Sequence, residues 1–146
     1  QMCIRDSKLG VPSFVFSREE FIAGVPILEK LAEYDVCLIV LAGFMNKISD
    51  VILQAFPGKI VNIHPALLPK YGGKGMYGMH VHEAVVKAGE RESGITIHYI
   101  NEHYDEGAII FQASCPVLPS DTPEEVASKV HALEYAHYPH VIESLL

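Results

Sequence analysis

Two short apolar runs, the unbroken Val36–Ala42 and Ile60–Ile63 with Asn62 within it, constrain this chain more than any other feature. A strand that is apolar on both sides is stable only when both sides are covered, as in a parallel sheet between helical layers. The neighbouring segments supply the helices. Ser17-Arg18-Glu19-Glu20 is a capping box, in which the Ser17 hydroxyl and the Glu20 carboxylate satisfy amides that a helix start leaves free. Behind it, Phe21, Ile22, Val25, Leu28, Leu31 and Ala32 recur at the period of one helix face.

The remaining punctuation extends the pattern. A strand is expected over Val11–Phe16, a short helix after Ser49, and a helix over Met79–Ala88 closed by a left-handed Gly89. Thr96–Ile100 and Ile109–Val117 read as strands. The last helix starts at Asp121 with the box Thr122-Pro123-Glu124-Glu125, and Pro139 should kink or restart it. This order defines an α/β fold with a doubly wound, mostly parallel sheet. Such sheets take ligands beyond the carboxyl ends of their strands, which directs attention to the residues after Ala42 and Ile63.

Size and composition narrow the function. A chain of 146 residues, 49% of them apolar, supports one domain with a core. Its longest apolar run, Val36–Met45, is half of what a membrane span needs. No secretory signal pattern appears, and Cys3, Cys37 and Cys115 form no C-x-x-C pair. They read as small buried residues of a reducing compartment, so a cytoplasmic protein without membrane contact is expected. The net charge of −7 argues against a nucleic-acid partner, and it is uneven. Lys47, Lys59, Lys70 and Lys74 face a single acid, Asp50, so the total splits into +3 for that stretch and −10 elsewhere. A positive island in an acidic protein suits a small anionic substrate.

Gln1–Ser7 has no periodicity and no place in the pattern. The string QMCIRDS equals an in-frame translation of a common transposase-end adapter, so it is expected to be non-native, with the domain proper running over 8–146.

The polar residues that could do chemistry sit at strand ends. In Asn62-Ile63-His64-Pro65 the strand alternation puts Asn62 and His64 on one face, and Pro65 stops the ladder there. An amide beside an imidazole suits a carbonyl oxygen that becomes an oxyanion: one group donates a hydrogen bond, the other a hydrogen bond or a proton. The carboxylate-rich stretch Asn101–Gly107 joins two strands, and an acid from it near His64 would favour the imidazolium. Glu134, His137 and His140 could share a helix face. No second Glu-x-x-His copy exists, however, and His80, His82 and Glu83 do not complete H-E-x-x-H, so no metal is expected.

LAGFM (Leu41–Met45), NIHPALLPKYGG (Asn62–Gly73), the pair His80/His82 and YDEGAII (Tyr104–Ile110) together resemble the folate-dependent formyltransferases. The likeness runs from about Lys8 to the chain end. It implies a Rossmann-like formyltransferase fold and transfer of the formyl group of 10-formyltetrahydrofolate to the amine of glycinamide ribonucleotide, in purine (IMP) synthesis. The transfer-RNA branch of the family usually reads N-V-H-G and then a basic stretch with tryptophan. This chain reads NIHP and has no tryptophan.

By this resemblance Asn62, His64 and Asp105 are the catalytic residues. The folate side draws on Arg18, Met45, Asn46, Lys47, Ile48, Asn62, Asn101, Glu102, His103, Tyr104 and Asp105, and the ribonucleotide side on Pro65 and Glu134. No metal is implied, and a homodimer is the assembly left open. The insert Gly72–Gly78 is longer than in many members, and its glycines suit a mobile flap. No glycine-rich phosphate turn precedes Val11, so the domain is expected to lack its first strands. Two alternatives stay open: a formyltetrahydrofolate deformylase, which releases formate, and an inactive fragment of the transferase.

Overall fold

The computed structural model describes residues 8–103 and 105–146. The expectation for Gln1–Ser7, including Cys3, and the folate-side role of Tyr104 fall outside those residues. Among the described residues nine elements follow in order: α1 (Arg18–Ala23), α2 (Val25–Glu33), β1 (Ile39–Leu41), α3 (Asp50–Ala55), β2 (Ile60–His64), α4 (Met79–Lys87), β3 (Glu92–Tyr99), β4 (Ile109–Pro116) and α5 (Pro123–Ser144).

Both capping boxes form. The Glu20 amide donates to Ser17 Oγ and the Ser17 amide to the Glu20 carboxylate; Thr122 and Glu125 repeat the exchange at the start of α5. The single helix expected behind Ser17 is two helices. Gly24 adopts φ 75° and caps α1, and Pro26 sits in the first turn of α2. α5, by contrast, continues through Pro139 as one helix. The missing proline N–H would have paired with the Tyr135 carbonyl, and Tyr135 is 77% exposed, so water can take that group's place.

The sheet runs β1-β2-β3-β4. Among the described residues only β1 and β2 are parallel, while β2–β3 and β3–β4 are antiparallel. The α/β class holds, but this part of the sheet is mixed and not mostly parallel. Val11–Phe16 forms no strand. It runs as an irregular segment in which Phe14 leans on Tyr34 and under the Lys30 ammonium. The expected Val36–Ala42 strand shrinks to Ile39–Leu41, whose side away from β2 has no described neighbour, and Val40 is 38% exposed. Cys37 is likewise exposed and Cys115 half-buried, against the expectation that both are buried.

Strand alternation sorts the core. Ile63, Ile95 and Ile97 face α4 and α5, meeting Val85, Val126, Val130 and Tyr138. Ile39, Leu41 and Ile60 face the other way, onto Ile48 and Ile52, with Phe21 and Leu28 behind. The second face turns polar along β2 and β3: Asn62 stands opposite His98, and His64 opposite Thr96. Thr96 is fully buried and saturated. Its hydroxyl donates to the Ala66 carbonyl and accepts from the Leu68 amide and the Gln112 side chain. That knot holds the chain leaving β2 over the polar face.

Candidate active site

A cavity of about 880 Å³ opens where β1 and β2 end. Leu41–Ile48 and Asn62–Pro65 supply two walls, Gly73–Gly78 of the insert with Met79 of α4 a third, and Glu134 and Tyr138 of α5 a fourth. The Tyr138 hydroxyl donates to the Leu41 carbonyl at 2.8 Å, which locks α5 to the end of β1 and sets Glu134, one turn earlier, on the cavity wall. Burial in that wall pushes the Glu134 carboxyl above the ordinary range, and nearby His131 opposes this. The Tyr138 phenol is raised as well, first by burial and then by the charge of Glu134.

The three residues expected to react meet here. The loop after β3 folds back over the polar face, closed by the Tyr99 amide on the Ala108 carbonyl, and Asp105 reaches His64. Asp105 Oδ2 is 3.7 Å from His64 Nδ1, and its Oδ1 is 3.6 Å from His98 Nε2. Asp105 takes φ 56°, a left-handed conformation that aspartate tolerates better than most residues.

His98 is a member of the site that the sequence reading missed. It is fully buried, and burial drives its pKa down, with the Tyr99 carbonyl and Asp105 acting in the opposite sense. Its Nδ1 lies 3.0 Å from the Tyr99 carbonyl, an acceptor only, so the proton of the neutral ring is on Nδ1. Nε2 is then the acceptor, and the Asn62 amide donates to it over 3.4 Å. The signal was present in sequence as Thr96-x-His98 alternation, but only the β2–β3 register reveals what His98 faces.

The other expected contacts divide. Met45, Asn46, Lys47, Ile48, Pro65, Asn101, Glu102, His103 and Glu134 all line the cavity. Arg18 does not; it sits exposed on α1. The positive island is dispersed: Lys47 pairs with Asp50 and Lys70 with Glu90, while Lys47 and Lys74 border the cavity. His137 stacks on Phe111, and His140 is held beside Glu143. His82, given no role by the sequence, is buried on the cavity wall with Nδ1 unpartnered among the described residues, and its pKa is lowered by burial first and by His131 and His64 next.

Residues 5–142 match the family model described as formyl transferase, and the chain belongs to that family. Its relatives include the chloroplastic phosphoribosylglycinamide formyltransferase of Arabidopsis thaliana, 42% identical over 141 residues, covering 93% of this chain and 48% of the relative. The Haemophilus influenzae phosphoribosylglycinamide formyltransferase is 39% identical, with 96% of this chain and 66% of the relative covered. Among solved structures, the Streptococcus pneumoniae phosphoribosylglycinamide formyltransferase superposes with a TM-score of 0.88 at 36% identity, covering 99% of this chain and 79% of that one. The chain thus spans about half the length of the plant relative and about two thirds of the Haemophilus one.

Proposed function

We propose that this chain carries the reacting centre of a phosphoribosylglycinamide formyltransferase, moving the formyl group of 10-formyltetrahydrofolate to the amine of glycinamide ribonucleotide. The observation that carries the reading is the convergence of Asn62, His64 and Asp105 at the mouth of one cavity. The amine forms a bond to the formyl carbon, the bond from that carbon to the folate nitrogen breaks, and the amine's proton ends on the folate nitrogen. Between these steps the formyl oxygen carries negative charge.

The residues suit each need. One Asn62 N–H is committed to His98, which leaves the second for the oxyanion, while its buried carbonyl oxygen has no partner among the described residues and can accept from the amine. His64 as imidazolium donates to the oxyanion and gives its proton to the folate nitrogen, the amine's proton then replacing it, with the Asp105 carboxylate beside the ring. On this reading the folate lies along Met45–Ile48 and Asn101–Asp105, and the ribonucleotide along Pro65 and Glu134. The family reading also carries a cytoplasmic setting, no metal requirement and formyl-folate as co-substrate.

The test supplies 10-formyltetrahydrofolate with and without glycinamide ribonucleotide and follows formylated amine and formate separately. Amine-dependent formyl transfer is expected. Formate release that ignores the amine would mean a hydrolase, and no turnover with either would contradict a catalytic centre in this chain.

A further inference from the structure

The segment leaving Lys70 makes hydrogen bonds to two of the three reacting residues through its backbone. The Tyr71 carbonyl lies 2.7 Å from His64 Nε2, and the Gly73 amide donates to Asp105 Oδ2 at 2.8 Å. A carbonyl can only accept, so His64 Nε2 carries a proton and donates it. From this we infer that the Tyr71–Gly73 turn is the positioning element of the centre: it tethers His64 by Nε2 and thereby makes Nδ1 the nitrogen that serves the substrate. The inference deepens the formyl-transfer reading and rests on it for its kinetic arm only.

The geometry on the other side of the ring fits. Nδ1 is 3.7 Å from Asp105, too far for a direct hydrogen bond, so a substrate oxygen or a water can be bonded there. Nε2, by contrast, is already engaged, and His64 is only 4% exposed, which leaves its ring little freedom to turn.

The turn itself is over-determined. Tyr71 adopts φ 55°, unfavourable for a bulky residue unless its surroundings hold it. They do. Its hydroxyl donates to Glu90, which also pairs with Lys70, and its ring packs against the core under α4 and α5. Gly73 follows at φ 89°, in the region that glycine alone enters readily. A Cβ at Gly72 between them would stand 2.5 Å from Leu68 Cδ2 and 3.2 Å from Asp105 Cβ, so both neighbours would have to shift. A side chain at the first glycine of the insert would therefore press on both Leu68 and Asp105.

Nitrogen-15 spectra of the histidine rings, recorded on the substrate-free protein at alkaline pH, test the tether without any reference to turnover. His64, assigned with a His64→Gln variant, is expected to show a protonated Nε2 and an unprotonated Nδ1. Gly72→Ala should move those signals and lower kcat about 10²-fold, the scale expected for misplacing a reacting group, with KM for the folate changed less than about threefold. A His64 tautomer protonated on Nδ1 would overturn the inference, as would a Gly72→Ala protein with parental signals and parental kcat. If Gly72→Ala does not fold, the tautomer of the parent protein decides alone. Failure of formyl transfer would leave the spectral result standing, so the two claims fail separately.

Discussion

Asn62 and His98 face each other across the β2–β3 pair, and their hydrogen bond has only one sense. The Tyr99 carbonyl fixes the His98 proton on Nδ1, so Nε2 accepts and the Asn62 amide nitrogen must donate. A backbone carbonyl one residue from His98 thus determines which end of the Asn62 amide looks into the cavity.

Replacing His98 by leucine should release that orientation. The Asn62 N–H loses its buried acceptor, a loss of about 1–3 kcal/mol in unfolding free energy. Formyl transfer should fall as well, since the Asn62 amide is then free to turn and present the wrong atom. Urea unfolding and turnover measured on the same preparation check both parts, and parental values of either would contradict the account.

Acid should destabilise the protein from near pH 6.5 downward. Burial lowers the pKa of both His98 and His82, so below the unfolded value of about 6.5 the unfolded chain binds protons that the folded chain refuses. Stability is full above that pH and declines below it, by at most about 1.4 kcal/mol per pH unit for each histidine. Denaturant midpoints at pH 7.5 and 5.5 measure the decline. A midpoint unchanged or higher at pH 5.5 would contradict it.

Glu134 acts with the opposite sign. Its carboxyl is raised by burial, so the folded state prefers it protonated, and its contribution is present at low pH and lost as pH rises through the raised value. Glu134→Gln should therefore raise Tm at pH 7 and leave it unchanged at pH 4. If Glu134 meets the ribonucleotide as proposed, the same variant binds that ligand more weakly at pH 7, which calorimetry would register.

Most of the helical framework was legible in the sequence because its signals are local. Ser17, Thr122 and Gly89 act within a turn of where they stand, and each cap sits where it was read. The short strands were harder. Val11–Phe16 has strand-like residues, but a strand exists only where a neighbour pairs with it, and none among the described residues does. The same applies to Val36–Ala42, where only three residues pair with β2. Asn62, His64 and Asp105 were readable by family likeness. His98, the Tyr71 carbonyl and the Gly73 amide were not, since a register or a backbone atom brings each to the site and no residue-type pattern marks them.

Gly107 marks another close approach. A Cβ at this position would collide with the Tyr99 carbonyl, the same group that fixes the His98 tautomer. Gly107→Ala should destabilise the fold by about 1–3 kcal/mol, the usual scale of overpacking, and should perturb the His98 ring spectrum. An alanine variant with parental Tm and an unshifted His98 signal would contradict the placement of this loop.

The central claim is that His64 and Asp105 act as one unit on the formyl group, and a double-mutant cycle on amine-dependent formyl transfer tests it most directly. His64→Ala alone should lower kcat by about 10²- to 10⁴-fold, the range of general acid catalysis. With His64 gone, adding Asp105→Asn should cost little more, because residues acting together lose their effect together. If the two losses simply multiply, or if His64→Ala stays within about threefold of the parent where general acid catalysis demands far more, the pair is not the reacting centre.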